Sequence, residues 1–303
     1  MAVEWIAVDW RGAMAERGKA ARPRQPGRAR PARRPPVGPL VGLCIIALLV
    51  VVAVFGPALT AAEPDRQDLV SRLRPPLGFG GDAAHPLGTD PLGRDLLARV
   101  VVGARVSLVL AAAVTLVAGT AGVALGLVAG LAGGVGARVV GWLTDVQMAL
   151  PFVVVAIAVT AALGPGLGPV VLTLALTGWV GYARIVRLQT LALRRAPWLE
   201  AARSLGVGPG RLTLRHVLPN LVGPIAVVAG QQAGATILYE AALSYLGLGL
   251  GGEVVTWGGM IAAGGETLAT AWWVSTVPGV ALALTILGLN LVGDWLATRG
   301  RSP

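Results

Sequence analysis

The chain is nearly without lysine, thiol and imidazole. Its 303 residues include one Lys (Lys19), one Cys (Cys44) and two His (His85 and His216), and only 13% are charged. A lone cysteine excludes an internal disulfide and a thiolate metal site, and Cys44 reads as a small apolar residue inside an apolar run. A phosphate-binding loop of the GxxxxGK[ST] kind needs a lysine after its glycines to reach the phosphates. Gly18-Lys19-Ala20 lacks that form, which excludes ATP hydrolysis by this route. Neither an HExxH pair nor a GxSxG elbow occurs, and no two carboxylates stand at a catalytic spacing. The expectation is a chain without a catalytic centre, a metal site or a bound cofactor.

Apolar length takes the place of charge. Hydrophobic residues make up 55%, mean hydropathy is +0.72, and Gly and Pro number 43 and 21. Runs long enough to cross a hydrocarbon core, about 20 helical residues each, occur at 38–61, 101–132, 139–163, 168–188, 220–245 and 274–297. Gly119, Gly122 and Gly126 in the second run suit close helix packing in lipid. The fold class expected is all-α, a polytopic membrane bundle of six transmembrane helices. Its parts are a disordered basic tail at 1–37, a first transmembrane helix at 38–61, and an extracytoplasmic linker at 62–100. A five-helix core at 101–298 follows, with a polar loop at 191–219, and the chain closes on a short C-terminus at 299–303.

Arginines orient this arrangement. Nine of the 25 Lys+Arg precede the first run, whereas the 62–100 linker balances its arginines with acids. The loop after the fourth run gathers Arg184, Arg187, Arg194, Arg195, Arg203, Arg211 and Arg215 against Glu200 alone, and the loop after the fifth has no basic residue. An excess of Lys and Arg marks the cytoplasmic side, so both termini and the 191–219 loop are expected there. The net charge of +10 is thus a topology signal, and its division among juxtamembrane sites speaks against a nucleic-acid partner. The Arg/Pro/Ala-rich tail lacks apolar periodicity, and Met14 offers a second start within it. Arg33 and Arg34 before the first run, with Ala61 and Ala62 after it, also fit a cleaved secretory signal. The length of the run and the parity of the remaining spans favour a retained helix.

The polar loop has a readable shape. In EAARSLGVGPGRLTLRHVLPN, Glu200 to Asn220, Pro197 just upstream suits the first helical turn and Gly206 the position past the helix end. Trp198, Ala201, Ala202 and Leu205 share one side of the two-turn helix between them, and Glu200 points the other way. Gly208-Pro209-Gly210 reads as a turn, Arg211 to Val217 as helix again, and Pro219 as an interruption where the fifth run begins. A helix this short needs packing partners. It is either a connector whose arginines anchor the neighbouring spans or a docking helix for a groove on a soluble partner. Tethering at both ends to the bilayer disfavours a DNA-reading helix-turn-helix.

The same segment resembles the EAA loop of permease subunits of bacterial ABC importers, with Glu200, Ala201, Ala202, Gly206, Leu218 and Pro219 on the pattern's positions. His216-Val217-Leu218-Pro219-Asn220 resembles its peptide and nickel branch. HPLGTDPLGRDLLARVVVGARVSL, beginning at His85, is similar to the DppC/OppC-type signature before the second span. There His85, Pro86, Leu87, Gly88, Thr89, Asp90, Gly93, Arg94 and Asp95 are the motif residues. LSYLGLGL from Leu243, WGGMI from Trp257, AWW from Ala271 and LNLVGDWL from Leu289 fit as well. Two departures stand out: the Gly208-Pro209-Gly210 turn, and the absence of prolines in GGEVVTWG ahead of Trp257.

The resemblance implies a non-catalytic transmembrane subunit in the bacterial cytoplasmic membrane. Its partners would be a DppB/OppB-like permease, two ATPase subunits or domains that hold ATP and Mg, an extracytoplasmic substrate-binding protein and the lipid bilayer. Glu200 would contact the ATPase or brace the loop, Gly206 would set the turn, and Trp198, Ala202 and Leu205 would supply the packing face. Di- or oligopeptides are the solute class implied, with nickel chelates or other small solutes as alternatives. Residues 247–273, with Glu253, Glu266, Trp272 and Trp273, would face either the binding protein or the lipid headgroups. A different class, an ion-driven secondary transporter, would use intramembrane acids. Its candidates are Asp145, Glu240 and Asp294, each near a span end where a solvated or capping role is expected.

Overall fold

The computed structural model describes residues 37–59, 63–251 and 254–299; residues 1–36 of the basic tail, Ala61, Ala62 and Glu253 lie outside this set. Among the described residues the chain is helical, and its one extended pairing is a single bridge between Thr89 and Asp95. Helix α1 (Val37–Leu59) is an unbroken apolar run. Helix α2 (Leu96–Leu131) starts ahead of residue 101 because Asp95 caps it, its Oδ1 accepting the Ala98 N–H at 2.8 Å.

The run at 139–163 does not form one straight span. It is divided into α3 (Gly134–Ala149) and α4 (Phe152–Leu163), bent by 91° at the break. Pro151 is the cause: the residue before a proline is pushed out of the α region, and Leu150 adopts φ −87° and ψ 119°. Pro151 then opens α4, where its missing N–H costs nothing. Helix α5 (Leu167–Leu193) follows, then the short α6 (Pro197–Ser204) and α7 (Pro209–Leu212). A π-turn at Thr213–Val217 leads into α8 (Leu218–Tyr245), and α9 (Trp257–Gly265) and α10 (Trp273–Arg299) complete the chain. Among the described residues five helical stretches are long and apolar enough to cross a membrane, and the number reaches six if the bent pair is one span.

Glycine sets the closest packing, between α2 and α5. A Cβ at Gly122 would collide with the Trp179 carbonyl and Tyr182, one at Gly126 would lie 2.8 Å from Val186 Cβ, and one at Gly130 2.6 Å from Thr190 Cβ. These three stand at i, i+4 and i+8, the small-residue stripe that lets helix backbones touch in lipid. Gly119 is off that stripe, its nearest neighbour being the Tyr182 ring at 3.5 Å. Gly42 of α1 and Gly288 of α10 make a second such contact. At one end of the bundle, the cap end, the start of α2, α9 and Trp273 gather under residues 63–95. At the other, the loop end, the last turns of α2 and α5 meet α6 and the start of α8.

Candidate functional site

The loop end is built from the two short helices. Pro197 sits in the first turn of α6, and Gly206, at φ +79°, ends it in the left-handed region that a side chain would strain. The Gly206 N–H donates to Arg203 O at 2.9 Å and the Val207 N–H to Ala202 O at 3.2 Å, which closes the last turn and lets the chain reverse. Underneath, Leu199, Val186, Val217 and Leu221 are each 0% exposed, with Leu212, Ala202 and Val207 packed beside them.

Leu199 is thus the anchor of α6, although the shared-face spacing passed it over. Of Trp198, Ala201, Ala202 and Leu205, only Ala202 turns partly inward; Trp198 is 43% and Leu205 85% exposed, and Ala201 and Glu200 are exposed too. The Trp198 and His216 rings lie 6.5 Å apart. Leu199 and Ala202 stand at i and i+3, and Leu212 and Val217 follow as the apolar positions of the next helical segment, which is the signal that marks the inward edge.

Pro219 does not break the chain into two helices. It stands at the second position of α8 after the π-turn, where the Leu218 N–H reaches back to Thr213 O. Asn220 Nδ2 donates to His216 O at 2.7 Å and satisfies a carbonyl near the proline. Arg194 Nη1 donates to Gly130 O at 3.1 Å, tying the loop to the end of α2. Gly208, Pro209 and Gly210 are all exposed, and Pro209 opens α7.

The cap end holds the His85–Asp95 motif as a buried polar knot. Asp90 Oδ1 accepts the N–H groups of Leu92 (2.8 Å) and Arg94 (3.0 Å), and its Oδ2 takes Arg94 Nε at 2.6 Å. His85 Nδ1 lies 2.9 Å from Asp95 Oδ2, on the residue that caps α2. Thr89 links three segments: its Oγ1 donates to Ser71 O and accepts the Arg74 N–H, and its carbonyl accepts Trp273 Nε1 at 3.1 Å. Gly88 (φ +83°) and Gly93 (φ +72°) take left-handed turns against the backbones of Arg74 and Asp68, where no Cβ fits. Leu87 packs into the core below, and the Pro86 carbonyl accepts the Leu77 N–H at 3.1 Å. Hydrogen bonds from Ser71 Oγ and the Val70 N–H hold the Asp68 carboxyl below its ordinary range. Arg99 joins the knot to Asp65 at 2.9 Å, and Trp257, fully buried, donates Nε1 to Val100 O at 3.0 Å.

The three intramembrane acids separate. Asp145 and Asp294 are exposed, whereas Glu240 is 1% exposed, which corrects a solvated role for it. Helix α8 continues past it to Tyr245, and α9 folds across, Gly258 lying against its carboxyl. Ser244 Oγ donates to Glu240 Oε1 at 2.7 Å, and Oε2 has no partner among the described residues.

Long apolar helices in glycine-close contact, one bent pair and a short helix laid across one end are the architecture of a polytopic integral membrane protein. Its fold is similar to that of a chain in the inward-facing MetNI methionine ABC transporter, with a TM-score of 0.50 at 20% identity over 64% of this chain and 94% of that one. The chain belongs to the family of binding-protein-dependent transport system inner membrane components, which it matches over residues 122–299. Residues 38–76 match the N-terminal TM domain of oligopeptide transport permease C.

Relatives share most of its length. The di/tripeptide transport system permease protein DppC of Pseudomonas aeruginosa is 37% identical over 86% of both chains. The probable D,D-dipeptide transport system permease protein DdpC of Escherichia coli is 34% identical over 82% of both. The oligopeptide transport system permease protein OppC of Bacillus subtilis is 34% identical over 85% of this chain and 83% of its own. The DppC/OppC-type resemblance carried by the motifs is therefore a family membership.

Proposed function

We propose that this chain is the transmembrane permease subunit of an ATP-driven importer that moves di- or oligopeptides into the cytoplasm. The observation that carries the solute class is the likeness to permeases named for dipeptides and oligopeptides over more than four-fifths of both chains. In this reading the bent pair counts as one of six spans, and the arginine-rich loop end, like both termini, is cytoplasmic. The chain is non-catalytic and binds no nucleotide; ATP and Mg sit on two ATPase subunits or domains. A DppB/OppB-like permease completes the pathway, and a substrate-binding protein docks at the cap end.

Energy then enters through α6. Trp198 and Leu205 stand exposed on one side of a helix anchored by Leu199, an apolar face available to a groove on the ATPase. Closure of the ATPase pair would move α6, and a difference in binding free energy between the two permease states would couple hydrolysis to transport. The test is uptake of a labelled dipeptide by the complete reconstituted transporter. Glu200→Lys should abolish both uptake and solute-stimulated ATP hydrolysis while the chain still inserts and assembles. Normal stimulation in that variant would remove α6 from the coupling route. Uptake that collapsed with an ionophore at constant ATP would favour the ion-driven reading, for which the buried Glu240 is the candidate acid.

A further inference from the structure

Beside the Pro151 elbow, α3, α5 and α8 line an open-sided cavity of about 320 Å³. At the elbow, where α4 turns away by 91°, Gln147, Leu150 and Phe152 line it together with residues of α5 and α8. Polar side chains from three helices converge on this cavity: Gln147 from α3, Thr177 and Arg184 from α5, and Gln232 from α8. On α5, Thr177, Gly181 and Arg184 fall at i, i+4 and i+7, on the side opposite the buried stripe that packs on α2. Phe152 and Tyr239 close one wall with ring centroids 4.7 Å apart.

Arg184 decides what such a cavity can hold. It is exposed, it makes no ion pair with any described residue, and neither Asp nor Glu lines the cavity. It also stands only four residues, roughly 6 Å along the axis, inside the loop-end limit of the apolar run 168–188. An arginine there reaches toward water rather than hydrocarbon, and the face it shares with Thr177 and Gly181 directs it into the cavity. The three uncharged polar groups beside it have the same preference.

We infer that this cavity is a water-filled stretch of the solute path and that Arg184 makes it attract the anionic end of the passing solute, the α-carboxylate of a peptide. Gln147, Thr177 and Gln232 supply exchangeable hydrogen bonds to peptide groups, and Leu150, Phe152 and Val180 supply apolar contact for side chains. One unpaired cation with no acid beside it favours a carboxylate over an ammonium and leaves a weak, reversible contact, which suits passage rather than storage. The inference rests on the importer reading above.

The test reads the charge of the cavity without relying on uptake. In the complete transporter carrying Cys44→Ser, Thr177→Cys is reacted with a sulfonate-bearing and a quaternary-ammonium-bearing methanethiosulfonate, and the modification rates are followed by the mass of this chain. The anionic reagent should react faster, and Arg184→Gln should lower the anion-to-cation rate ratio by about fourfold, the difference expected for one charge roughly 10 Å away in water. Arg184→Lys should keep the ratio. With Arg184 intact, raising salt from about 10 mM to about 1 M should level it, which gives the same reading if the Gln variant does not assemble. A Thr177→Cys that neither reagent reaches, while exposed Val135→Cys reacts, would show the cavity dry. A ratio indifferent to Arg184→Gln or to salt would show Arg184 without influence. Either result overturns the inference and leaves dipeptide uptake, measured on the same preparation, to stand or fall separately.

Discussion

At the scale of single residues, the loop end separates what holds α6 in place from what α6 offers outward. Leu199, inside α6, is 0% exposed and Leu205, the residue that caps its end, 85%. Removing the buried leucine should cost a cavity as well as its transfer free energy, so Leu199→Ala is expected to destabilise by about 2–5 kcal/mol. Leu205→Ala should fall within about 0.5 kcal/mol of the parent, since its side chain is 85% exposed. Thermal melts of the purified complex would show the first effect and not the second. Solute-stimulated ATP hydrolysis should fall in both variants, in Leu199→Ala because α6 loosens and in Leu205→Ala because the docking face shrinks. Identical melts for the two variants would mean that α6 does not rest on Leu199.

At the scale of elements, α2 and α5 show which sequence signals were legible. Their apolar length is plain in the runs, because a span must be some 20 residues of low charge whatever its neighbours are. Which glycines touch is less plain. Gly119, Gly122 and Gly126 look alike in the sequence, yet only the last two, with Gly130, lie where the backbones meet. An added methyl at Gly126 would press on Val186 Cβ at 2.8 Å, whereas at Gly119 it would find the Tyr182 ring at an ordinary 3.5 Å. Gly126→Ala should therefore cost about 1–3 kcal/mol of overpacking and Gly119→Ala almost nothing, read as the temperature at which the detergent-solubilised complex loses its assembled form.

The run at 139–163 contains Pro151, yet its apolar length alone reads as one span and hides the 91° elbow. A proline can kink a helix or end it, and neighbours decide which. Glu240 was obscured for a related reason. Its nearness to a span end was legible, and the α9 helix that covers it depends on a long-range contact. The His85–Asp95 motif could be recognised from its letters, while its hydrogen bonds to Ser71, Arg74 and Trp273 join segments as far as 184 positions apart.

At the scale of the whole molecule, the arrangement has two chemically distinct ends. The cap end balances its charges within itself: Arg74 pairs with Asp82, Arg94 with Asp90, and Arg99 with Asp65. The loop end carries seven arginines from Arg184 to Arg215 with Glu200 as the one acid among them. That asymmetry is what positive-inside insertion acts on, since arginines near span ends resist translocation and paired charges do so much less. Two residues report on the two ends with little risk to the fold: Val70 in the cap, 88% exposed, and Leu205 on α6, 85% exposed. In a Cys44→Ser chain, a membrane-impermeant thiol reagent applied to intact cells should modify Val70→Cys and spare Leu205→Cys. Permeabilised cells that lack the ATPase subunits should show both modified. Modification of Leu205→Cys in intact cells would place the arginine-rich end outside and undo the coupling route through α6, because ATP is available only on the cytoplasmic side. Modification of both positions in intact cells would mean that the two ends share one side, an outcome incompatible with helices α2, α5 and α8 crossing the bilayer between them.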